Sequence, residues 1–192
     1  MEKLTGLNKL KTAIFISGTG SNFKNLIKFS KMKKTPISIN LVISSTHKAK
    51  GLENVGQINI KKKIFDFKYI KATEKKILTL LKKEKIKFIC LAGFMKILSK
   101  DFIQKFDGKI INIHPSLLPK YKGLNTHRRA ITNKDKFSGC TVHYVTEKLD
   151  SGEIIMQKKI KITAKDNVAS LAKKVLKQEH KLYPAAIMKI FN

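Results

Sequence analysis

The segment KTAIFISGTGSNFKNL, from Lys11 to Leu26, decides the fold of this 192-residue chain. Its first part, Lys11 to Ser17, is short, apolar and rich in isoleucine, which predicts a buried strand. Gly18 and Gly20 end that strand, and from Phe23 onward the apolar residues recur at helical spacing. A strand, a glycine-rich turn and a helix in this order are typical of a parallel α/β sheet.

The rest of the chain continues the alternation of strands and helices. Because the connecting loops are short, we predict an α/β fold: an open, mostly parallel twisted sheet with helices on both faces, Rossmann-like in its N-terminal half. Alternation in the second half of 153–162 favours an antiparallel edge strand, and Thr73 is a candidate helix cap. The predicted strands are 11–17, 37–44, 63–67, 87–92, 109–113, 141–145 and 153–162, and the predicted helices are 23–34, 50–57, 73–84 and 168–190.

The charge of the chain is strongly positive, with 41 Lys plus Arg, 13 Asp plus Glu and a formal net charge of +28. Only Arg128 and Arg129 are arginines, and the lysines are scattered along the chain. Proteins that read bases or clamp phosphates favour arginine for its planar guanidinium. The chain is also rich in Ile and Asn, which share A/T-rich codons with Lys, so we attribute the lysines mainly to a coding bias. We expect no nucleic-acid partner, although a positive field still attracts anionic substrates.

Cellular location and metal content are also constrained by composition. No run of about 18 apolar residues and no signal-peptide pattern occurs, so we expect no membrane association. Cys90 and Cys140 are isolated in the sequence, which favours a reduced, cytoplasmic protein over a disulfide framework. No cluster of His, Cys and carboxylate residues has the spacing of metal ligands, so we expect no metal.

The glycine-rich turn is the first candidate binding site. Gly20, Ser21 and Asn22 stand where a strand ends and a helix begins, so backbone N–H groups can approach an anion there. The turn lacks the third glycine of a dinucleotide-binding fingerprint and the lysine of a P-loop. A mononucleotide-type phosphate and a tight turn without a ligand both remain consistent with this segment.

The second candidate site follows the strand at 109–113. Asn112 and His114 are two residues apart at the end of this strand, so their side chains leave the same face. An amide N–H can stabilise an oxyanion, and an imidazole can transfer protons near neutral pH. Asp150 joins them only if it reaches His114, where a carboxylate would raise the imidazole pKa or order a water; otherwise it is a turn residue.

Taken together, the motifs resemble the phosphoribosylglycinamide formyltransferase family. The resemblance depends on their order and spacing over nearly the whole chain rather than on any single motif. The matching stretches are 16–22, 91–99, 111–120, 123–128, 139–152, 178–180 and 183–184.

The resemblance implies a reaction and the residues that perform it. The amine of glycinamide ribonucleotide would attack the formyl carbon of 10-formyltetrahydrofolate, the co-substrate, through a tetrahedral intermediate in purine biosynthesis. Asn112 would hydrogen-bond the formyl oxygen, His114 would transfer protons, and Asp150 would order a water and keep His114 in a useful protonation state.

The resemblance also implies the binding residues and the organisation of the chain. We expect one domain over 1–192, with a phosphate- and substrate-binding N-terminal half and a catalytic, folate-binding C-terminal half, acting on small molecules as a monomer or weak homodimer. By the same resemblance, Gly20, Ser21, Asn22 and Glu179 would bind the ribonucleotide, and Met95, Lys96, Ile97, Leu98 and Asn112 would bind the folate.

Two alternatives to this function are other folate formyl enzymes, and a third belongs to a different class. A formyltransferase for methionyl-tRNA shares the Asn-x-His-Pro-Ser core but carries a second domain, for which 192 residues leave no room. A formyltetrahydrofolate hydrolase typically carries an extra N-terminal domain, whereas the catalytic fold here starts by Lys11. A basic nucleic-acid module would require interleaved aromatic residues and arginines on one surface, and the chain has no Trp.

Overall fold

A computed structural model describes residues 9–55 and 60–191 of the chain. Strands and helices alternate through it, and the predicted α/β class is confirmed. The strands are β1 (Leu10–Ile16), β2 (Ile37–Ser44), β3 (Lys61–Ile64), β4 (Phe88–Leu91), β5 (Lys109–His114), β6 (Phe137–Tyr144) and β7 (Ile154–Lys161). The helices are α1 (Ser21–Ser30), α2 (Ile70–Lys83), α3 (Lys100–Lys105), α4 (Thr126–Thr132) and α5 (Val168–Phe191), with a short 3-10 helix at Lys50–Val55.

The strands form a seven-stranded sheet in the order β3-β2-β1-β4-β5-β6-β7. β1 pairs in parallel with β2 and with β4, and β2 pairs in parallel with β3. β7 lies at one edge and is antiparallel to β6, as the alternation at 153–162 predicts. The chain divides into two compact units, one up to Ile111 together with Phe191, and one from Asn112 to Ile190.

The first unit has its core on the central strand β1. Residues 13–16 of β1 are fully buried, as expected for a strand of a parallel sheet that is covered on both faces. Phe15 contacts Phe94 and Phe102 edge-on, with ring centroids 5.3 and 6.3 Å apart. The apolar side of α1 buries Phe23, Leu26 and Ile27, so helical spacing in the sequence correctly located this helix.

The second unit contains β6, β7, α4 and α5. In β6, Cys140, Thr141 and Val142 are fully buried. Helix α5 is 24 residues long, includes Pro184, and buries a stripe of residues that contains Leu171 and Tyr183. The unit thus combines an antiparallel strand pair with a long amphipathic helix.

Several element boundaries differ from the predictions. β3 begins at Lys61 rather than at residue 63, and α3 and α4 have no counterpart in the sequence-based assignment. Thr73 is not the cap of α2, because the helix already starts at Ile70 and the Thr73 hydroxyl donates to the Asp66 carbonyl at 2.6 Å. A short helix with a polar cap, such as α3 after Ser99, has too few apolar residues to show a period.

Over the described ranges, none of the helices combines the length and the apolar character needed to span a bilayer.

Candidate active site

The end of β5 presents two polar side chains within the second unit. Asn112 and His114 lie two residues apart on this strand, and His114 is buried with 6% of its surface exposed. In a parallel sheet the carboxyl ends of strands are where ligands bind. The strand thus brings an amide and an imidazole to the position where the sequence analysis expects them.

Backbone and carboxylate groups orient the His114 ring. Nε2 of His114 lies 2.8 Å from the carbonyl oxygen of Tyr121. A carbonyl only accepts hydrogen bonds, so Nε2 carries a proton and Nδ1 of the neutral ring is the basic nitrogen. Nδ1 faces Oδ2 of Asp150 at 3.4 Å, so a proton taken up at Nδ1 would lie beside a carboxylate.

The pKa of His114 lies below its ordinary value. Burial lowers it most, and the charges of His143 and Arg129 lower it further, while the Tyr121 carbonyl and the Asp150 carboxylate raise it. A carboxylate that reaches His114 is expected to raise this pKa, but burial outweighs the effect of Asp150. His114 is therefore neutral at neutral pH and able to accept a proton.

Asp150 is placed by the loop between β6 and β7. Its Oδ2 accepts a hydrogen bond from the Gly123 N–H at 2.8 Å, and its backbone is left-handed, with φ of 45°. Burial raises the pKa of Asp150, but the neighbouring His143, the hydrogen bond from the Gly123 N–H and the nearby His114 lower it overall. A Cβ on the nearby Gly152 would lie 1.8 Å from the Tyr144 carbonyl, so only glycine allows this loop to close.

His143 is a further member of the site, although its place in the strand predicted at 141–145 indicates no more than a structural histidine. Its Nε2 lies 3.2 Å from Nδ2 of Asn112 and 3.6 Å from Oδ1 of Asp150. Its Nδ1 donates to the Tyr144 carbonyl at 2.8 Å, so in a ring that carries a single proton Nε2 accepts from the Asn112 amide. His143 therefore orients the amide, and one Nδ2 hydrogen of Asn112 remains for a ligand.

In the first unit, the glycine-rich turn has a shape that depends on glycine. Gly20 has φ of 74°, and a Cβ there would lie 2.5 Å from the Cα of Gly51. The Gly51 N–H in turn donates to the Gly18 carbonyl at 3.0 Å. Gly20 is the N-cap of α1, and among the described residues no side chain bonds to this cap, a geometry that suits an anion at Ser21 and Asn22.

The segment 93–99, also in the first unit, is held at both ends. Ser17 connects to its start, because the Ser17 N–H donates to the Gly93 carbonyl at 3.0 Å and the Met95 N–H donates to Oγ of Ser17 at 2.8 Å. At its end, the Ser99 N–H and hydroxyl both donate to the buried carboxylate of Glu74.

Between these anchors the side chains of segment 93–99 differ in exposure. Met95 and Ile97 are 65% and 67% exposed, Lys96 is exposed as well, and Leu98 is buried. A rigid backbone that presents apolar side chains to solvent is suited to bind a flat apolar ligand.

Glu179 lies on α5 and is buried in the second unit. Burial raises the pKa of the Cys140 thiol to about 12, and the charge of Glu179 contributes to this shift. Cys140 is accordingly a protonated thiol rather than a nucleophile. No group of three metal-ligating side chains occurs in the part of the chain that the structure describes.

The comparison with protein families extends over most of both units. The model of formyl transferases matches residues 10–187, from the start of β1 into the last turns of α5. The chain belongs to the formyl transferase family. The matched region contains each residue singled out above, from the glycine-rich turn to Glu179.

Relatives of this formyl transferase include free-standing and multifunctional proteins. It is 40% identical to phosphoribosylglycinamide formyltransferase of Haemophilus influenzae over 92% of the chain and 85% of that protein. It is also 40% identical to the trifunctional purine biosynthetic protein adenosine-3 of Homo sapiens over 93% of the chain, but spans only 18% of that protein. The crystal structure of phosphoribosylglycinamide formyltransferase from Brucella melitensis superposes with a TM-score of 0.90 at 42% identity, covering 96% of both chains.

Proposed function

We propose that this chain transfers the formyl group of 10-formyltetrahydrofolate to the amine of glycinamide ribonucleotide, a step of purine biosynthesis. The observation that carries the proposal is a group of four side chains around the end of β5, namely Asn112, His114, Asp150 and His143. The chain is a formyl transferase, and its relatives include phosphoribosylglycinamide formyltransferase. An amide donor beside a neutral imidazole suits attack by an amine on a formyl carbon.

Asn112 acts on the formyl oxygen. Negative charge grows on this oxygen as the amine attacks, and a fixed N–H donor stabilises it most at that point. His143 holds the Asn112 amide with Nδ2 toward the ring, so no reorientation is needed during the reaction.

His114 takes the proton that the attacking amine loses. Its neutral ring offers Nδ1, and the Asp150 carboxylate 3.4 Å away stabilises the imidazolium that forms. The proton then passes to the nitrogen of the leaving tetrahydrofolate, which balances the reaction without a metal.

The glycine-rich turn binds the phosphate of the ribonucleotide through Gly20, Ser21 and Asn22. The positive end of α1 and the close approach of Gly20 and Gly51 support this role. Glu179, a buried carboxylate on α5, binds the ribose end of the same substrate as a hydrogen-bond acceptor.

The folate binds along the segment from Met95 to Leu98, together with Asn112. The exposed side chains of Met95 and Ile97 fit the apolar faces of a pterin ring, and backbone groups held by Ser17 and Ser99 can pair with its polar edge. Lys96 adds a positive charge suited to the glutamate tail.

The proposal extends to the setting of the enzyme. It acts as a single formyltransferase domain over 1–192 in the cytoplasm, which two buried cysteines outside any disulfide of the described residues support. Its partners are the two small molecules, without nucleic acid or membrane, and it is a monomer or a weak homodimer.

A turnover assay tests the function directly. Purified protein with glycinamide ribonucleotide and 10-formyltetrahydrofolate should give formylated ribonucleotide and tetrahydrofolate in equal amounts. Methionyl-tRNA and water serve as competing acceptors, and neither should react at a comparable rate. A folded, folate-binding protein that transfers formyl only to methionyl-tRNA or to water would overturn the proposal.

A further inference from the structure

The Tyr121 carbonyl accepts a hydrogen bond from Nε2 of the His114 ring at 2.8 Å. This hydrogen bond leaves Nδ1 as the proton acceptor facing Asp150. A ring with the other tautomer would place its N–H against the carboxylate and lose its basic nitrogen there. The direction of the Tyr121 carbonyl therefore decides which nitrogen of His114 accepts a proton.

Tyr121 has a backbone conformation that bulky residues rarely adopt. Its φ is 56°, and Gly123 and Asn125 in the same loop have φ of 75° and 58°. The left-handed region is unfavourable for a residue with an aromatic side chain. Such a conformation persists only where neighbouring contacts stabilise it, so the contacts of the Tyr121 side chain are part of what orients its carbonyl.

Polar and charged groups surround the Tyr121 side chain. Its hydroxyl donates to Oδ2 of Asp135 at 2.8 Å and accepts from Nδ2 of Asn133 at 2.9 Å. The guanidinium carbon of Arg129 lies 4.8 Å from the ring centroid, and Arg129 also donates to the Lys122 carbonyl at 2.7 Å. We refer to this group as the Tyr121 clamp, which consists of Lys120, Tyr121, Arg129, Asn133 and Asp135.

Asp135 is the charged anchor of the Tyr121 clamp. Its side chain is only 13% exposed, and Nζ of Lys120 lies 2.8 and 2.9 Å from its two oxygens. Burial raises the pKa of Asp135, but hydrogen bonds from Lys120 and Tyr121 lower it overall. A phenol donates a stronger hydrogen bond to a charged carboxylate than to the oxygen of a neutral amide. The charge of Asp135 therefore strengthens its hydrogen bond with the Tyr121 hydroxyl.

We propose that the Tyr121 clamp is a positioning device for His114, in which Asp135 and the Tyr121 hydroxyl hold the Tyr121 carbonyl on Nε2 and so keep Nδ1 as the proton acceptor. Asp135 and Tyr121 are positioning residues, since they act through His114. The inference rests on the proposed role of His114 in formyl transfer, but the tautomer that it predicts can be measured without turnover.

The test uses Asp135→Asn and Tyr121→Phe in the full chain. Imidazole ¹⁵N spectra, with His114 assigned by its loss in His114→Ala, should show Nε2–H in the unmodified protein and a mixture of tautomers in both variants. In steady-state kinetics, kcat should fall about tenfold while KM for both substrates stays within about twofold. The Tyr121 carbonyl raises the pKa of His114, so the acid limb of kcat should move to lower pH.

The groups that face His114 must stay constant for this readout. These are Asp150, His143, Arg129 and His127, and neither substitution changes any of them. Asp166→Asn is the matched control, because it also removes a buried carboxylate paired with a lysine, Lys174 at 2.6 Å. This control should lower thermal stability but leave the tautomer and the pH profile unchanged.

Two outcomes separate this inference from the proposed function. If both variants keep the Nε2–H tautomer and the original acid limb, the positioning role is wrong even if turnover is normal. If the unmodified protein shows no formyl transfer while the tautomer shifts in the variants, the proposed function is wrong and the positioning role of the Tyr121 clamp is supported. Should Asp135→Asn not fold, Tyr121→Phe decides, since it removes a single oxygen atom.

Discussion

The glycine-rich turn of the first unit and the histidine group of the second unit are built in different ways. The turn depends on backbone shape, because Gly20 and Gly51 approach so closely that a single Cβ would not fit. The histidine group depends on side-chain hydrogen bonds among Asn112, His114, His143 and Asp150. Substitutions in the turn should therefore act through steric clash with its backbone. Substitutions in the histidine group should act by removing or altering the side chains that take up protons.

The largest expected effect is on the side-chain site. His114→Ala should lower kcat by about 10²–10⁴-fold, since it removes the proposed general base, with little change in KM for the ribonucleotide. Stopped assays under saturating substrate measure this loss, and circular dichroism checks the fold. A variant that keeps more than half of the original kcat would show that His114 is not the base.

The next effect concerns the backbone-shaped turn. Gly20→Ala should raise KM for glycinamide ribonucleotide at least about tenfold and destabilise the protein by about 1–3 kcal/mol, because φ is 74° and the new Cβ meets Gly51. KM for the folate should change less. Steady-state kinetics and urea unfolding measure both quantities.

Gly18→Ala is the matched control for this substitution. A Cβ at Gly18 would have no heavy atom within 4 Å, so the free energy of unfolding should stay within about 0.5 kcal/mol. Equal destabilisation by the two alanines would mean that the close contact between Gly20 and Gly51 does not determine the turn.

The smallest effect is the pH dependence that the side-chain site should add to stability. Burial lowers the pKa of both His114 and His127. Below about pH 6.5 these two histidines therefore bind protons more readily in the unfolded chain than in the folded chain. The free energy of unfolding should fall with pH from about 6.5 down to the folded-state pKa values, by less than about 1.4 kcal/mol per pH unit for each histidine.

Urea unfolding at pH 7.5 and 5.5 measures this slope. His127→Gln should reduce it, whereas substitution of the exposed His47 by Gln should not. An unchanged slope in His127→Gln would show that this histidine is not protected from protons in the folded protein.

The two regions also differ in how much of them could be predicted from the sequence. The turn at 18–22 and the pair Asn112 and His114 follow from local pattern, since each marks the end of an apolar strand. The contact between Asp150 and His114 joins residues 36 positions apart, and no spacing rule predicts it. The family resemblance implies that Asp150 is a partner of His114, and the structure shows the contact between the two side chains.

Two other features lay beyond sequence reasoning for physical reasons. His143 lies in a strand whose residues 138–143 are all buried, and its hydrogen bond with Asn112 depends on the register of two separate strands. The left-handed conformation of Tyr121 is opposite to its intrinsic preference. Tertiary contacts stabilise it, and these are invisible in a single sequence.

The two edge strands of the sheet bear on how the protein behaves in concentrated solution. β3 exposes Lys61, Lys62 and Lys63, and β7 exposes Lys158, Lys159 and Lys161. Unpaired strand edges invite association with another chain, and like charges along them oppose it. Repulsion between exposed charges weakens as salt shortens its range to about 10 Å at 0.1 M. Colloidal stability of the protein is thus tied to ionic strength through the lysines at its sheet edges.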